Sequence, residues 1–217
     1  MRRIADRCYQ LDHSSGANGY VVVGDGRAAL IDPGFGSGAH KVAAEVHAAE
    51  AITGPITDIV LTHYDPDHAG AAARLQRELG APVRMSAPDA AILRGEASPP
   101  SRMRRFSARV MRAAYPDQVV EFADDAHIFD GLAVVAAPGH TPGHVALQWG
   151  RVLFIGDAAM VSGEGVLRDF PGFLIGDKPQ AAATLAALTV RIGEERIEWI
   201  CAGHSAPVRV RSAGTLT

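Results

Sequence analysis

The residues of this sequence best suited to chemistry are four of its nine histidines and three aspartates, each placed after a short apolar segment. They are His63, Asp65, Asp67, His68, His140, Asp157 and His204. Such segments are typical of buried strands, and the loops after strands can bring distant side chains together. Imidazole and carboxylate groups without a thiolate favour a catalytic metal site with open positions over a closed structural zinc site.

The first motif, His63-x-Asp65-x-Asp67-His68, follows the apolar run 59–61. In extended backbone, residues two apart point to the same side, so His63 and Asp65 can bind one cation together. Asp67 and His68 lie where the chain turns into a predicted helix, and they can address a second cation. Two simpler interpretations stay open: Asp67 as the helix N-cap, and Asp65 as a turn residue before a proline.

Three further motifs have the same strand-to-loop character. His140 lies in the segment Gly139–His144, which follows an apolar strand. Asp157 ends another apolar strand, and its two oxygens make it a natural bridge between two ions. His204 follows a predicted buried strand over residues 198–202.

The elements that must position these residues are short and mixed. Strands are predicted at 20–23, 28–31, 59–61, 82–85, 128–129, 132–136, 145–149, 152–155 and 198–202, and helices at 41–52, 68–79 and 180–192. This mixture predicts two packed sheets with helices outside. Residues 95–118 interrupt this succession of strands and helices with a Gly- and Pro-containing stretch and an Arg-rich segment. We expect one domain over 1–217 with a lid or insertion at about 95–118.

Composition narrows the function classes. The 217 residues are 47% hydrophobic, enough for a substantial core, and the formal charge of −3 gives no basic track for nucleic acid or an anionic membrane. Cys8 and Cys201 are too few for a disulfide framework, and Cys201 is more simply a small buried hydrophobe than a metal ligand. No stretch approaches the roughly 18 apolar residues of a membrane span, so a cytoplasmic location is expected.

The four motifs, in this order, resemble those of the metallo-β-lactamase superfamily, over nearly the whole chain. The resemblance implies an αβ/βα four-layer sandwich with a metal site at one edge of two mixed β-sheets. It implies that a first metal binds His63, Asp65 and His140, that a second binds Asp67, His68 and His204, and that Asp157 bridges them. It also implies that His144 supports the site through a hydrogen bond to a ligand. Asp32 resembles a family position beside the site, but a turn before Pro33 explains it equally well.

One residue departs from the commoner motif of the family. Asp65 stands where a second His is usual, much as a Glu does in flavodiiron proteins. The implied cofactors are two divalent ions: affinity order favours zinc, whereas the additional carboxylate favours iron or manganese.

The function that the resemblance implies is metal-assisted hydrolysis of a small molecule containing an ester, thioester, lactone or related bond. Asp67 would orient the attacking water as well as bind metal. The alternative is an iron-dependent oxidoreductase of the same fold, like flavodiiron proteins or persulfide dioxygenases. Nucleic-acid processing and a non-catalytic metal-binding module are further alternatives. We expect no additional C-terminal helical domain like that of hydroxyacylglutathione hydrolases, which argues against that particular substrate.

The Arg-rich segment has two interpretations. Its arginines could bind an anionic substrate tail, or they could form a solvated helix face. They are Arg102, Arg104, Arg105, Arg109 and Arg112. Apolar residues between them would dock the segment as a lid or form a homodimer contact.

Overall fold

The computed structural model describes residues 1–101, 104–105, 113–122 and 126–210. These residues form two large mixed β-sheets that pack face to face, with helices against their outer faces. The four layers are those of the sandwich that the sequence predicts.

The first sheet has seven strands, which lie side by side in chain order. They are β1 (Arg2–Ala5), β2 (Cys8–Gln10), β3 (Tyr20–Val23), β4 (Ala28–Ile31), β5 (Asp58–Val60), β6 (Val83–Ser86) and β7 (Val119–Phe122). Neighbouring strands are antiparallel up to β4 and parallel from β4 to β7. Parallel neighbours require crossover connections, which the helices between these strands provide.

The second sheet has the order β15-β14-β11-β10-β9-β8. Its strands are β8 (His127–Phe129), β9 (Leu132–Ala136), β10 (Val145–Trp149), β11 (Val152–Gly156), β14 (Trp199–Ala202) and β15 (Val208–Arg209). β11 and β14 are parallel, and the other neighbouring pairs are antiparallel. A separate hairpin pairs β12 (Met160–Val161) with β13 (Leu167–Arg168).

Six α-helices flank the sheets. They are α1 (Ala39–Ala48), α2 (Glu50–Thr53), α3 (Pro66–Ala69), α4 (Ala72–Leu79), α5 (Ala87–Arg94) and α6 (Lys178–Glu194) among the described residues. Gly80 and Gly95 end α4 and α5 in the left-handed conformation, at φ +68° and +86°, which glycine adopts without steric penalty. The Asp177 side chain caps α6 by accepting from the backbone N–H of Gln180.

Alternation along the strands produces the layers. In β3, Val21 packs with Val42 of α1 and Leu75 of α4 on the outer face of the first sheet. Its neighbours Tyr20 and Val22 point the opposite way, into the core between the sheets. A third apolar cluster lies between the second sheet and α6. β3 therefore has both faces buried, which explains its continuous apolar sequence.

The predicted helix 68–79 is wrong in its continuity. The chain forms the single turn α3 and then α4, because the N–H of Ala71 donates to the carbonyl of Gly34, at 2.8 Å, instead of continuing the first helix. Gly70 allows this close approach of the 34–36 segment, since a Cβ there would lie 2.7 Å from the backbone nitrogen of Gly36.

Several elements were not predicted: β1, β2, β7, the β12–β13 hairpin, β15 and α5. Helix α5 begins with Ala87 and Pro88 and has a weakly patterned apolar face, so periodicity gave little signal for it. Of the predicted insertion, residues 102–103 and 106–112 lie outside the described residues. Within the described ranges, none of the helices has the length and apolar character that crossing a bilayer requires.

Candidate metal centre

Four strand ends place the candidate metal ligands at one edge of the sandwich. The first motif follows β5, and His140 follows β9. Asp157 comes directly after β11, and His204 follows the parallel neighbour β14. All seven predicted ligand residues converge there, in two groups whose nitrogen and oxygen atoms each lie within 4.8 Å of one another.

His63, Asp65 and His140 form the first group. The Oδ2 atom of Asp65 lies 3.4 Å from Nε2 of His63 and 3.1 Å from Nε2 of His140. The two imidazole rings meet edge to face, with centroids 4.9 Å apart. Both histidines are buried, and Asp65 is largely covered.

Asp67, His68, Asp157 and His204 form the second group. The Nε2 atom of His204 lies 3.2 Å from Oδ2 of Asp157 and 3.3 Å from Oδ2 of Asp67. The Nε2 atom of His68 lies 3.3 Å from the other Asp157 oxygen. His68 and Asp157 are buried, whereas the His204 side chain is 31% exposed, so this group faces the opening of the site.

The electrostatics of the site follow from burial and close ion pairs. Burial lowers the pKa of His140 to about 4, so its ring is neutral near pH 7. Burial alone would raise the pKa of Asp65, but its close contacts with His140, His63 and Arg104 hold that pKa well below its usual range. Hydrogen bonds with Asp157 and Asp67 raise the pKa of His204 to about 10, so this ring must lose a proton to bind metal, because neutral imidazole and ionised carboxylate are the forms that bind.

Several atoms of the two groups have chemistry that fits a cation. Nε2 of His63, Nε2 of His68 and Oδ1 of Asp157 are buried without a hydrogen-bond partner among the described residues. Buried polar atoms normally have partners, because an unsatisfied group costs about 1–3 kcal/mol. Lone pairs that converge from both groups are the arrangement that a metal ion would satisfy.

The comparisons with known proteins agree with this geometry. Residues 15–204 match the family model described as the metallo-beta-lactamase superfamily, a range that contains all seven residues. The chain belongs to the metallo-β-lactamase superfamily. The sequence-based assignment to this family is thus confirmed.

Relatives of known name or structure lie at moderate identity within this superfamily. A hydroxyacylglutathione hydrolase of Xanthomonas campestris is 30% identical over 184 residues, which are 85% of this chain and 58% of the relative. Hydroxyacylglutathione hydrolase GloC of Haemophilus influenzae is 29% identical, over 82% of this chain and 79% of the relative. The crystal structure of TTHA1623 in a di-iron-bound form is 28% identical, covers 93% of both chains and superposes with a TM-score of 0.65. The chain spans about half the length of several curated relatives.

Asp32 supports the superfamily site by binding His68. Its Oδ2 atom accepts from Nδ1 of His68 at 2.9 Å and from the Thr62 hydroxyl at 2.7 Å, and its Oδ1 atom accepts from the Thr62 N–H at 2.8 Å. A proton held on Nδ1 leaves the Nε2 lone pair available to a metal ion. Asp32 has a φ of +45°, so the turn interpretation describes its backbone while its side chain orients a ligand candidate.

His144 lies beside His63 of the first group, and its side chain accepts a hydrogen bond from the backbone of Asp157. Its Nε2 atom accepts from the N–H of Asp157 at 3.1 Å, and its ring lies 4.9 Å from that of His63. Burial keeps the pKa of His144 well below its usual range, so the ring is neutral and can accept this bond. Gly156 permits the packing, since a Cβ there would lie 2.8 Å from the same His144 nitrogen.

Sequence reasoning missed Asp89. This fully buried carboxylate, in the first turn of α5, accepts from the N–H of Tyr64 at 3.1 Å. It also accepts from the Thr141 hydroxyl and from the N–H of Gly143, both at 2.7 Å. Asp89 thereby joins the loop of the first motif to the loop of His140. The sequence gives no signal for this role, because an Asp in the first turn of a helix is common without any further function.

Arg104 does not fit the interpretation of a solvated helix face. It is 6% exposed, and its guanidinium bonds to Asp65 and His140 rather than to solvent. Arg105 is exposed, and Arg102, Arg109 and Arg112 lie outside the described residues. Cys201 lies in the core between the sheets and in neither ligand group, as expected of a small hydrophobe.

Proposed function

We propose that this chain is a metal-dependent hydrolase that binds two divalent ions and cleaves an ester, thioester, lactone or related bond in a small molecule. The observation that carries the proposal is the position of Asp157. One of its two oxygens lies within 4.0 Å of the Nε2 atoms of His63, His140 and His204, and the other lies 3.3 Å from Nε2 of His68. A carboxylate so placed can bridge ions held by both groups.

The proposed ligand sets follow the two groups. One ion would be held by the first group, His63, Asp65 and His140, the other by Asp67, His68 and His204 of the second group, and Asp157 would contact both. Carboxylate enrichment suits iron or manganese, while affinity order favours zinc, and zinc is our proposed metal.

When bound, the two ions would lower the pKa of a water molecule toward about 7 and polarise the substrate carbonyl. The residues of the chain provide the positioning. The Asp67 side chain is 23% exposed and lies at the outer end of the second group, so its carboxylate can accept a hydrogen bond from water that enters the site. We assign Asp67 the role of orienting that water.

The substrate is proposed to be a thioester or a related acyl compound. The named relatives that support this class are hydroxyacylglutathione hydrolases. Phe170 gives an acyl chain one apolar contact beside the metal groups: its buried ring lies 4.9 Å from the ring of His140 and 6.1 Å from that of His204. The predicted insertion contributes Arg104 to the same site, which supports a role for part of 95–118 near the substrate.

The test is metal analysis of protein purified without added metal, followed by a panel of thioester, oxygen-ester, lactone and phosphodiester substrates. We expect bound transition metal, hydrolysis of an acyl substrate, and loss of activity on chelation. Asp157→Ala should abolish both metal binding and turnover. Asp25→Ala, at a side chain that is 94% exposed, is the matched control and should change neither. Full activity of Asp157→Ala with unchanged metal content would refute the proposal.

An iron-dependent oxidoreductase is the second candidate. Asp65 adds a carboxylate to the first group, and the TTHA1623 structure is in a di-iron-bound form. Iron as the bound metal, together with oxygen consumption and without hydrolysis of any acyl substrate, would favour this candidate over the hydrolase.

A further inference from the structure

The guanidinium of Arg104 lies against the same atoms that would hold the first metal ion. Its Nη1 atom donates to the two oxygens of Asp65, at 2.7 and 2.9 Å. Its Nη2 atom lies 2.7 Å from Nε2 of His140. Arginine carries only donors, so in this contact Nε2 accepts and the proton of the neutral ring is on Nδ1, which has no hydrogen-bond partner among the described residues. That tautomer is also the one that a metal bound at Nε2 requires.

The surroundings form a complete site for a guanidinium. The carbonyl of Leu174 accepts from Nε at 3.0 Å and from Nη2 at 2.6 Å, and the Tyr64 hydroxyl lies 3.4 Å from Nη1. The Arg104 side chain is 6% exposed. Every nitrogen of the group therefore has an acceptor, as expected for a cation that the fold binds rather than for a side chain at the surface.

An ion and this guanidinium cannot both use the Nε2 atom of His140. The Nε2 atom of His140 has one lone pair, which points either to Nη2 of Arg104 or to a metal. Zinc would lie about 2.0–2.1 Å from that nitrogen, inside the space that the guanidinium fills. Asp65 is likewise engaged through both of its oxygens.

We propose that Arg104 competes with the metal ion for the first group, so that the chain binds one ion first, at Asp67, His68, Asp157 and His204. The second ion binds only when the guanidinium withdraws. This inference rests on the proposed metal site and adds to it an order of loading. Charge supports the order: while Arg104 neutralises Asp65, the carboxylates of Asp67 and Asp157 balance one divalent ion.

Competition sets the size of the effect. If the state with Arg104 withdrawn has a population of about 10% or less, the apparent affinity for the second ion falls by about tenfold or more. The ion that binds first, at the second group, should be little affected, because the guanidinium makes none of its hydrogen bonds to Asp67, His68, Asp157 or His204.

The experiment is a Zn²⁺ titration of the full metal-free chain by calorimetry, with a metal count per chain after dialysis. We expect the wild-type protein to bind two ions in separate steps that differ at least tenfold in affinity. Arg104→Ala should strengthen the second step by at least tenfold. Arg105→Ala, the exposed neighbour, should match the wild type. Adding His140→Ala to Arg104→Ala should remove only the second ion.

The outcomes separate the two proposals. Two ions of equal affinity in the wild-type protein would overturn the inference, even if Arg104→Ala failed to fold. An unchanged or weaker second step in Arg104→Ala would overturn it as well, while leaving the metal site intact. Absence of Zn²⁺ binding in the wild-type protein and all variants would overturn both proposals.

Discussion

Asp32→Asn tests whether an orienting carboxylate controls the proposed metal centre. Asparagine has nearly the same shape and tolerates the left-handed backbone at φ +45°, so this change avoids the strain that alanine would add. It replaces one carboxylate oxygen with an NH₂ group. If that group faces His68, both partners would be donors, and the His68 proton would move from Nδ1 to Nε2.

The magnitude follows from the bonds that Asp32 makes. For His68 to bind metal through Nε2, its Nδ1–H must give up the charge-assisted bond that is now 2.9 Å long. Such a bond contributes about 1.5–3 kcal/mol. At about 1.4 kcal/mol per tenfold, metal affinity should fall by about 10- to 100-fold. The bond from the Thr62 N–H can persist to the amide oxygen, so the fold should survive.

The assay is a zinc titration of metal-free Asp32→Asn, read against the wild type and against Asp25→Asn. The control makes the same chemical change at a side chain that is 94% exposed. Thermal denaturation without metal checks that the variant is folded. Zinc affinity equal to that of the wild type, in a folded Asp32→Asn protein, would refute the reasoning that Asp32 orients His68.

Two further predictions concern buried carboxylates. Burial alone would raise the pKa of Asp58, but bonds from Thr57, Arg27 and Arg84 outweigh burial and lower it. The resulting stability is present above the unfolded pKa of about 3.9 and is lost as pH falls through the folded value. Asp58→Asn should therefore lower the free energy of unfolding by about 3 kcal/mol at pH 7 and flatten its acid dependence, measured by urea denaturation from pH 3 to 7. A parallel acid dependence in the variant would contradict this. Asp89→Ala leaves three buried donors without an acceptor, at about 1–3 kcal/mol each, and should lower both the melting temperature and zinc affinity. Unchanged values of both would show that Asp89 does not hold the two loops together.

The layers of the fold were predictable because alternation and apolar runs are local properties. The strands β3, β4, β9 and β10 have the predicted bounds, since each has turn residues at its ends and a buried face. The helix break between α3 and α4 was not predictable. It depends on the carbonyl of Gly34 meeting the N–H of Ala71, a contact between segments far apart in sequence.

The residues of the site likewise include some that the sequence could predict and some that it could not. His63 and His140 could be named from sequence because they recur in motifs with fixed spacing after strands. Asp89 and Arg104 could not, because the properties that matter are their burial and their partners. Arg104 contacts Asp65, which is 39 positions away, and an Arg in a charged run has the same sequence whether its side chain ends in solvent or inside the site.

The partners of Asp89 and Arg104 are nevertheless residues of the motifs or their neighbours, so the motifs identify where such groups must be sought. A buried charge beside a predicted ligand has to be either a support for that ligand, as proposed for Asp32, or a competitor for its lone pairs. The sign of the charge decides which. A carboxylate that accepts from Nδ1 of a histidine leaves Nε2 available to a metal, as Asp32 does for His68. A guanidinium that donates to Nε2 occupies that nitrogen, as Arg104 does for His140.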